Sequence, residues 1–174
     1  MYAWLTPTRR RSIRWSAASI VVFALVAVAA YVVLPVREVP SSATERVLNT
    51  MLLLRWPTLH LLLIGTSLFR IFDTEKAADP LSGGESARHR VNQRVLQNSL
   101  EQFVLFVPAV LGLAILADDV FVWHAVQIAV LLFTLGRAAF WIGYHRSPQA
   151  RAPGFVITFS TTLLTLAAVF WLAG

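Results

Sequence analysis

The sequence predicts an all-α integral membrane protein, and three observations carry that prediction. Hydrophobic residues make up 57% of the 174, charged residues only 14%, and mean hydropathy is +0.65, a balance outside that of water-soluble domains. Five apolar runs are each long enough to cross about 30 Å of hydrocarbon at about 1.5 Å per helical residue. None shows the period-two alternation of a barrel strand, so satisfying the backbone in lipid requires helices.

The runs, in order, are Ser16 to Val36, Val47 to Phe72, Val91 to Ala117, Val120 to Tyr144 and Gly154 to Ala173. The first follows Arg9-Arg10-Arg11 and contains the small residues Ala27-Val28-Ala29-Ala30, so it imitates a signal peptide, and its paired arginines a twin-arginine signal. Its length approaches the ~20 residues of a span, which favours retention, and either reading leaves the later helices in one orientation. Pro57 in the second run and Pro108 in the third are candidate kinks, the latter placed to widen a cavity beyond Glu101. The connections are short: Arg37 to Arg46 with two prolines, Asp73 to Arg90 with Asp79-Pro80 and Gly83-Gly84, the Asp118-Asp119 turn, and His145 to Pro153. Nothing repeats, and no separate soluble domain fits between them.

Loop charge orients the bundle. A net charge of +6 would point to nucleic acid in a soluble chain, but here the basic residues sit between apolar runs and follow the positive-inside rule. With the N-terminus cytoplasmic, that side holds Arg9, Arg10, Arg11, Arg14, Lys76, Arg88, Arg90, Arg146 and Arg151. The other side holds Arg37, Arg46 and the acidic Asp118-Asp119. The expected location is a bacterial inner membrane, with membrane lipid and not nucleic acid as the surroundings.

Two runs carry polar side chains at helical spacing. At about 100° per residue, Arg94, Asn98 and Glu101 fall near 0°, 40° and −20°, and Arg137, Phe140 and Tyr144 near 0°, −60° and −20°, so each set forms one stripe. The third and fourth runs are antiparallel, and Glu101 and Arg137 each lie about 10.5 Å inward from Arg94 and Tyr144. Arg70 and Arg151 belong to the same membrane side. Four arginines therefore converge around one glutamate, a donor surplus suited to a small anion, since the guanidinium fork binds carboxylate in bidentate fashion. Glu101 can take a ligand ammonium and Asn98 an amide. On the alternative reading, Glu101 and Arg137 form an internal ion pair and the other arginines snorkel to headgroups.

Other residues carry less. His60, His89, His124 and His145 lie on different segments without an i, i+4 pair, so no metal site is expected. Trp56, Trp123, Trp141 and Trp171 fit interface anchors. Gly83-Gly84 lacks the context of a phosphate loop and reads as a bend. The chain has no cysteine, so any thiol chemistry uses a substrate thiol.

The string from Arg94 through Asn98 and Glu101 to Phe103 resembles the Arg-x-x-x-Asn-x-x-Glu signature of the MAPEG family, membrane-associated proteins in eicosanoid and glutathione metabolism. Gly136-Arg137 to Tyr144, followed by Arg151 and Gly154-Phe155, resembles the family's Arg-x-x-Tyr-x-x-x-Tyr segment and its later arginine. The resemblance covers about residues 47–174 as a four-helix domain, with residues 1–46 forming a basic tail, an extra transmembrane helix and a linker. It implies homotrimers that bind glutathione between subunits near the cytoplasmic leaflet. Arg70, Arg94, Asn98, Glu101, Arg137 and Tyr144 match glutathione-contacting positions, and Arg151 matches the arginine proposed to stabilise the glutathione thiolate. Phe140 stands where many catalytic members have tyrosine. The implied activity is a glutathione-dependent transferase or peroxidase acting on an apolar small-molecule electrophile. The alternatives are a non-catalytic protein of the same fold binding lipid or a membrane partner, and a transport or scaffold bundle whose charges only pack helices.

Overall fold

A computed structural model of the chain describes residues 7–79, 81 and 83–174, with side chains from residue 13 onward. Among these residues five helices and no strand are present: α1 (Pro7–Val33), α2 (Ala43–Thr66), α3 (Ala87–Leu116), α4 (Val120–Arg146) and α5 (Ala152–Ala173). All five are long and apolar enough to cross a membrane, so the fold class is the one expected, a membrane helix bundle with an additional N-terminal helix. Arg9, Arg10 and Arg11, on which the signal-peptide reading turned, have side chains outside the described residues, as does Pro80.

Helix ends follow local chemistry more closely than hydropathy does. The first apolar run reaches Val36, but α1 stops at Val33 because Pro35 disfavours helical backbone in the residue before it. α2 starts at Ala43, where Ser42 and Glu45 form a capping box that satisfies two otherwise orphaned amides. It ends at Thr66, and the expected continuation to Phe72 is corrected: residues Arg70–Phe72 form a 3₁₀ turn. There Ser67 Oγ donates to the Ile64 carbonyl at 2.5 Å and Thr66 Oγ1 to that of Leu63 at 2.9 Å, diverting carbonyls of the last turn. Ser86 caps α3 through the His89 amide (3.1 Å), and Asp119 caps α4 through the amides of Phe121 and Val122. Gly83 adopts φ 66°, the left-handed conformation glycine enters freely.

α2, α3 and α4 share the main core, in which Phe106 and Phe133 stack 4.2 Å apart. α1 packs on α5 and α4 and makes no contact with α2, and Ala30, Leu132 and Ile157 fill that second seam. In lipid such burial gains packing rather than transfer from water, which is why side chains such as Val32 and Phe170 can remain outward. Trp123, expected at an interface, is instead 3% exposed within the main core, and the half-buried Trp141 donates to Asn92 Oδ1 at 2.9 Å.

One buried arginine fastens the end opposite the α2–α3 loop. Arg46 donates through Nε to the Ala114 carbonyl (3.0 Å) and through Nη2 to that of Ile115 (2.8 Å), satisfying the last carbonyls of α3 where helix dipole and cation agree. Arg46→Met keeps the stem and removes these bonds. We expect it to lower stability by about 1–3 kcal/mol, read as the thermal unfolding midpoint in nanodiscs; an unchanged midpoint would remove Arg46 from this role.

Candidate functional site: a cationic cleft between α3, α4 and α5

The α3 stripe and the α4–α5 corner face each other across a cleft of about 650 Å³. α3 contributes Arg94, Gln97, Asn98 and Glu101, α4 Phe140 and Tyr144, and the following turn and α5 Gln149, Arg151 and Phe155. Trp15 and Ser16 of α1 complete the lining. Five of the sequence-predicted site residues, Arg94, Asn98, Glu101, Tyr144 and Arg151, thus border one space, the first three from the single α3 face that their helical spacing assigned.

Arg137 stands behind that surface rather than on it. It is 1% exposed, with Nη1 donating to Asn98 Oδ1 at 3.0 Å and Nη2 donating to Thr158 Oγ1. Its guanidinium carbon lies 4.5 Å from the centroid of the Phe140 ring, a cation–π contact that strengthens where water is scarce. Its Nε has no hydrogen-bond partner among the described residues. Because Arg137 occupies the Asn98 carbonyl oxygen, the Asn98 amide NH₂ is left to serve the cleft as a donor. The internal Glu101–Arg137 ion pair considered as an alternative is not formed: Glu101 instead accepts from Gln97 Nε2 at 3.2 Å.

Close packing of α4 on α5 makes this possible. A Cβ on Gly154 would stand 2.6 Å from the Gly136 carbonyl oxygen and from Phe140 Cα, so only glycine allows the backbones to approach this far. That approach sets Thr158, one helical turn after Gly154, beside Arg137. Thr158 was missed from sequence because a threonine in an apolar helix ordinarily bonds only its own backbone, as Thr158 Oγ1 also does to the Gly154 carbonyl (2.9 Å).

Arg151 precedes α5, donates through Nε to the Pro148 carbonyl at 3.1 Å, and holds its guanidinium 4.7 Å from the centroid of the Tyr144 ring. Arg94 is exposed to the cleft and makes no hydrogen bond or ion pair among the described residues. Two cations and one carboxylate therefore line the space, with a third cation directly behind it. Pro108 is not part of the lining.

Arg70 is the predicted site residue that the structure does not bring to the cleft. In the 3₁₀ turn after α2 it pairs with Glu85 at 2.9 Å and donates to the Ala77 carbonyl at 3.0 Å. A second clasp lies alongside: Asp73 Oδ2 accepts from the Ser86 amide at 3.0 Å and faces His89 Nδ1 at 3.6 Å. Ser86 bonding, with the nearby imidazole, holds the Asp73 carboxyl below its ordinary 3.8. Glu85's backbone amide and then Arg70 hold the Glu85 carboxyl below its ordinary 4.5.

The spans define an integral membrane protein, and the cleft defines a membrane protein with a basic polar recess inside its bundle. The sequence model of the MAPEG family matches residues 51–171, and the chain belongs to that family of membrane proteins, whose members generally use glutathione. α1 lies before the matched region. Neither the curated proteins nor the solved structures contain a match to the chain.

Thr158→Val keeps the shape and leaves Arg137 with a further unpaired donor. A loss of about 1–3 kcal/mol is expected, with Thr158→Ser recovering most of it; equal unfolding midpoints for both variants would refute the arrangement. The α2–α3 clasps have their own signature. Depressed carboxyl pKa values contribute stability that is complete above the ordinary values of 3.8 and 4.5 and is lost as pH falls through the lower folded ones. Hydrogen exchange across residues 70–79 and 83–86 should therefore accelerate beyond the intrinsic pH trend only as pH falls below about 4.5; parallel behaviour to an unstructured peptide would contradict it.

Proposed function

We propose that the cationic cleft binds glutathione and that the protein is a glutathione-dependent transferase or peroxidase acting on apolar electrophiles that arrive through the bilayer. The observation that carries this reading is that Arg94, Asn98, Glu101, Tyr144 and Arg151 border one space, with Arg137 holding Asn98 from behind. The donor set fits a small peptide with two carboxylates and one ammonium. Arg94 and Arg151 supply guanidinium forks for carboxylate, Glu101 is an acceptor for the ammonium, and the Asn98 NH₂ is a donor for a peptide carbonyl.

Glutathione supplies the thiol that this cysteine-free chain lacks. Arg151 is the residue we assign to favouring its ionised form, since a nearby guanidinium stabilises thiolate over thiol. Stacking on Tyr144 restrains where that charge can lie. In this reading residues 47–174 form the family domain, residues 1–46 the added tail and helix, and three copies assemble in the inner membrane with the basic ends cytoplasmic. Arg70, occupied by Glu85 within one subunit, reaches glutathione only from a neighbouring subunit.

A second reading, glutathione or lipid binding without turnover, is favoured by Phe140. This residue is 2% exposed and offers a ring to Arg137 where a hydroxyl would otherwise reach the ligand.

Titration of the purified protein with glutathione separates both from a purely structural role for the charges. Arg94→Ala should weaken binding about 10- to 100-fold, the range of one charge-assisted hydrogen bond. Arg151→Ala should leave most of the binding and lower the thiolate absorbance of the bound ligand at neutral pH. Unchanged thiolate absorbance would take Arg151 out of the chemistry, and absence of glutathione binding to the wild-type protein would end the proposal.

A further inference from the structure

One wall of the cationic cleft lies outside the family domain. Trp15 and Ser16 of α1 border it together with Arg94, Asn98 and Glu101 of α3 and Phe155 of α5, whereas the family match begins at residue 51. Among the described residues α1 packs on α5 and α4 and not on α3. The cleft is therefore bordered by two helices that do not pack on each other, and a ligand in it would join them.

The two ends of α1 are held differently. From Ser19 onward the helix is fastened: Ser19 is enclosed, Phe23, Val26, Ala27 and Ala30 pack in the seam with Leu132 and Ile157, and the Tyr31 carbonyl lies 3.3 Å from His124 Nε2, with the two rings edge to face at 5.2 Å. Ahead of Ser19, every side chain from Ile13 to Ala18 is exposed. The Trp15 carbonyl accepts from Ser19 Oγ at 2.6 Å, a bond within the helix that leaves the ring free. That ring is 39% exposed, meets no other aromatic ring, and its Nε1 makes no hydrogen bond among the described residues. Interface anchoring, the ordinary use of tryptophan near a helix end, accounts for its level in the membrane but not for its place at the border of a polar space. An indole there offers an apolar face to cover a ligand and one donor to give it.

We infer that Trp15 is a ligand-covering residue supplied by the added helix: its ring lies against the peptide held by Arg94 and Arg151, and the first turns of α1, unfastened ahead of Ser19, move aside for release. The inference rests on the reading of the cleft as the glutathione site. Its effect falls on retention. The charges that draw in an anion stand on α3 and beside α5, so removing the ring leaves capture intact, while the lost cover shortens the life of the complex.

Release of radiolabelled glutathione from the nanodisc-embedded full chain, chased with unlabelled glutathione, reads this directly. Trp15→Ala should release the label about 3- to 10-fold faster, the range of one aromatic contact, with the association rate unchanged and Trp15→Phe intermediate. Ile20→Ala, on the same helix but 59% exposed and not in the lining, should release at the wild-type rate. In the wild-type protein glutathione should also slow amide exchange at residues 15–19, and this second measurement decides if Trp15→Ala does not fold. A wild-type release rate in a folded Trp15→Ala that binds glutathione, or exchange in α1 that ignores the ligand, would overturn the cover and leave the glutathione reading standing. A lowered unfolding midpoint with unchanged release would make Trp15 an interface anchor and equally overturn it. Failure of the wild-type protein to bind glutathione would remove both.

Discussion

The buried guanidinium of Arg137 is the constraint on which the cleft depends. A cation enclosed in a membrane bundle needs its donors satisfied internally, and here three helices supply the answer: Asn98 from α3, Thr158 from α5, and the Phe140 ring from α4 itself. Each of those contacts fixes something else. Asn98 is turned so that its NH₂ serves the recess, the glycines at 136 and 154 are required so that Thr158 can come close, and Phe140 gives its ring to Arg137 at the wall of the recess. Polar bonds of this kind hold a bundle in lipid, where apolar contact alone gives little preference for one helix neighbour over another.

From that anchor the rest of the recess follows in layers. Behind it lies a charge that is already satisfied apart from one nitrogen; in front lie Arg94 and Arg151, whose guanidinium groups have no carboxylate within ion-pair distance among the described residues. A site built this way separates the group that positions from the groups that bind. At the far end of the bundle the same residue type does a different job: Arg46 is occupied by helix carbonyls and backbone, which leaves nothing to offer a ligand. Buried arginine is therefore not a single signal in this chain, and the partners decide its meaning.

Much of this was legible in the sequence, for identifiable reasons. Spans are announced by length and hydropathy, and stripes at i, i+4 and i+7 fix a face before any neighbour is known, so Arg94, Asn98 and Glu101 fell together as expected. Boundaries were less legible because an apolar run outlasts the helix that begins in it: Val36 lies beyond Pro35, and Ile71 and Phe72 beyond the hydroxyls that end α2. Arg70 was placed at a helix end for that reason and in fact sits in the following turn. Contacts made across helices left no mark on any one helix. Thr158 looks like its neighbours Thr161 and Thr162, and Trp15 gives no sign that it borders the recess. The ion pair between Glu101 and Arg137 was suggested by depth alone, and depth does not specify which way two side chains turn.

The central claim is that one recess at the basic end, underpinned by Arg137, receives glutathione. A cryo-electron microscopy map of the nanodisc-embedded protein with glutathione tests it most directly. The account predicts density for the tripeptide against Arg94, Asn98 and Arg151, with the Arg137 side chain enclosed between Asn98 and Thr158. Density confined to another surface, or Arg137 turned outward to lipid, would contradict it.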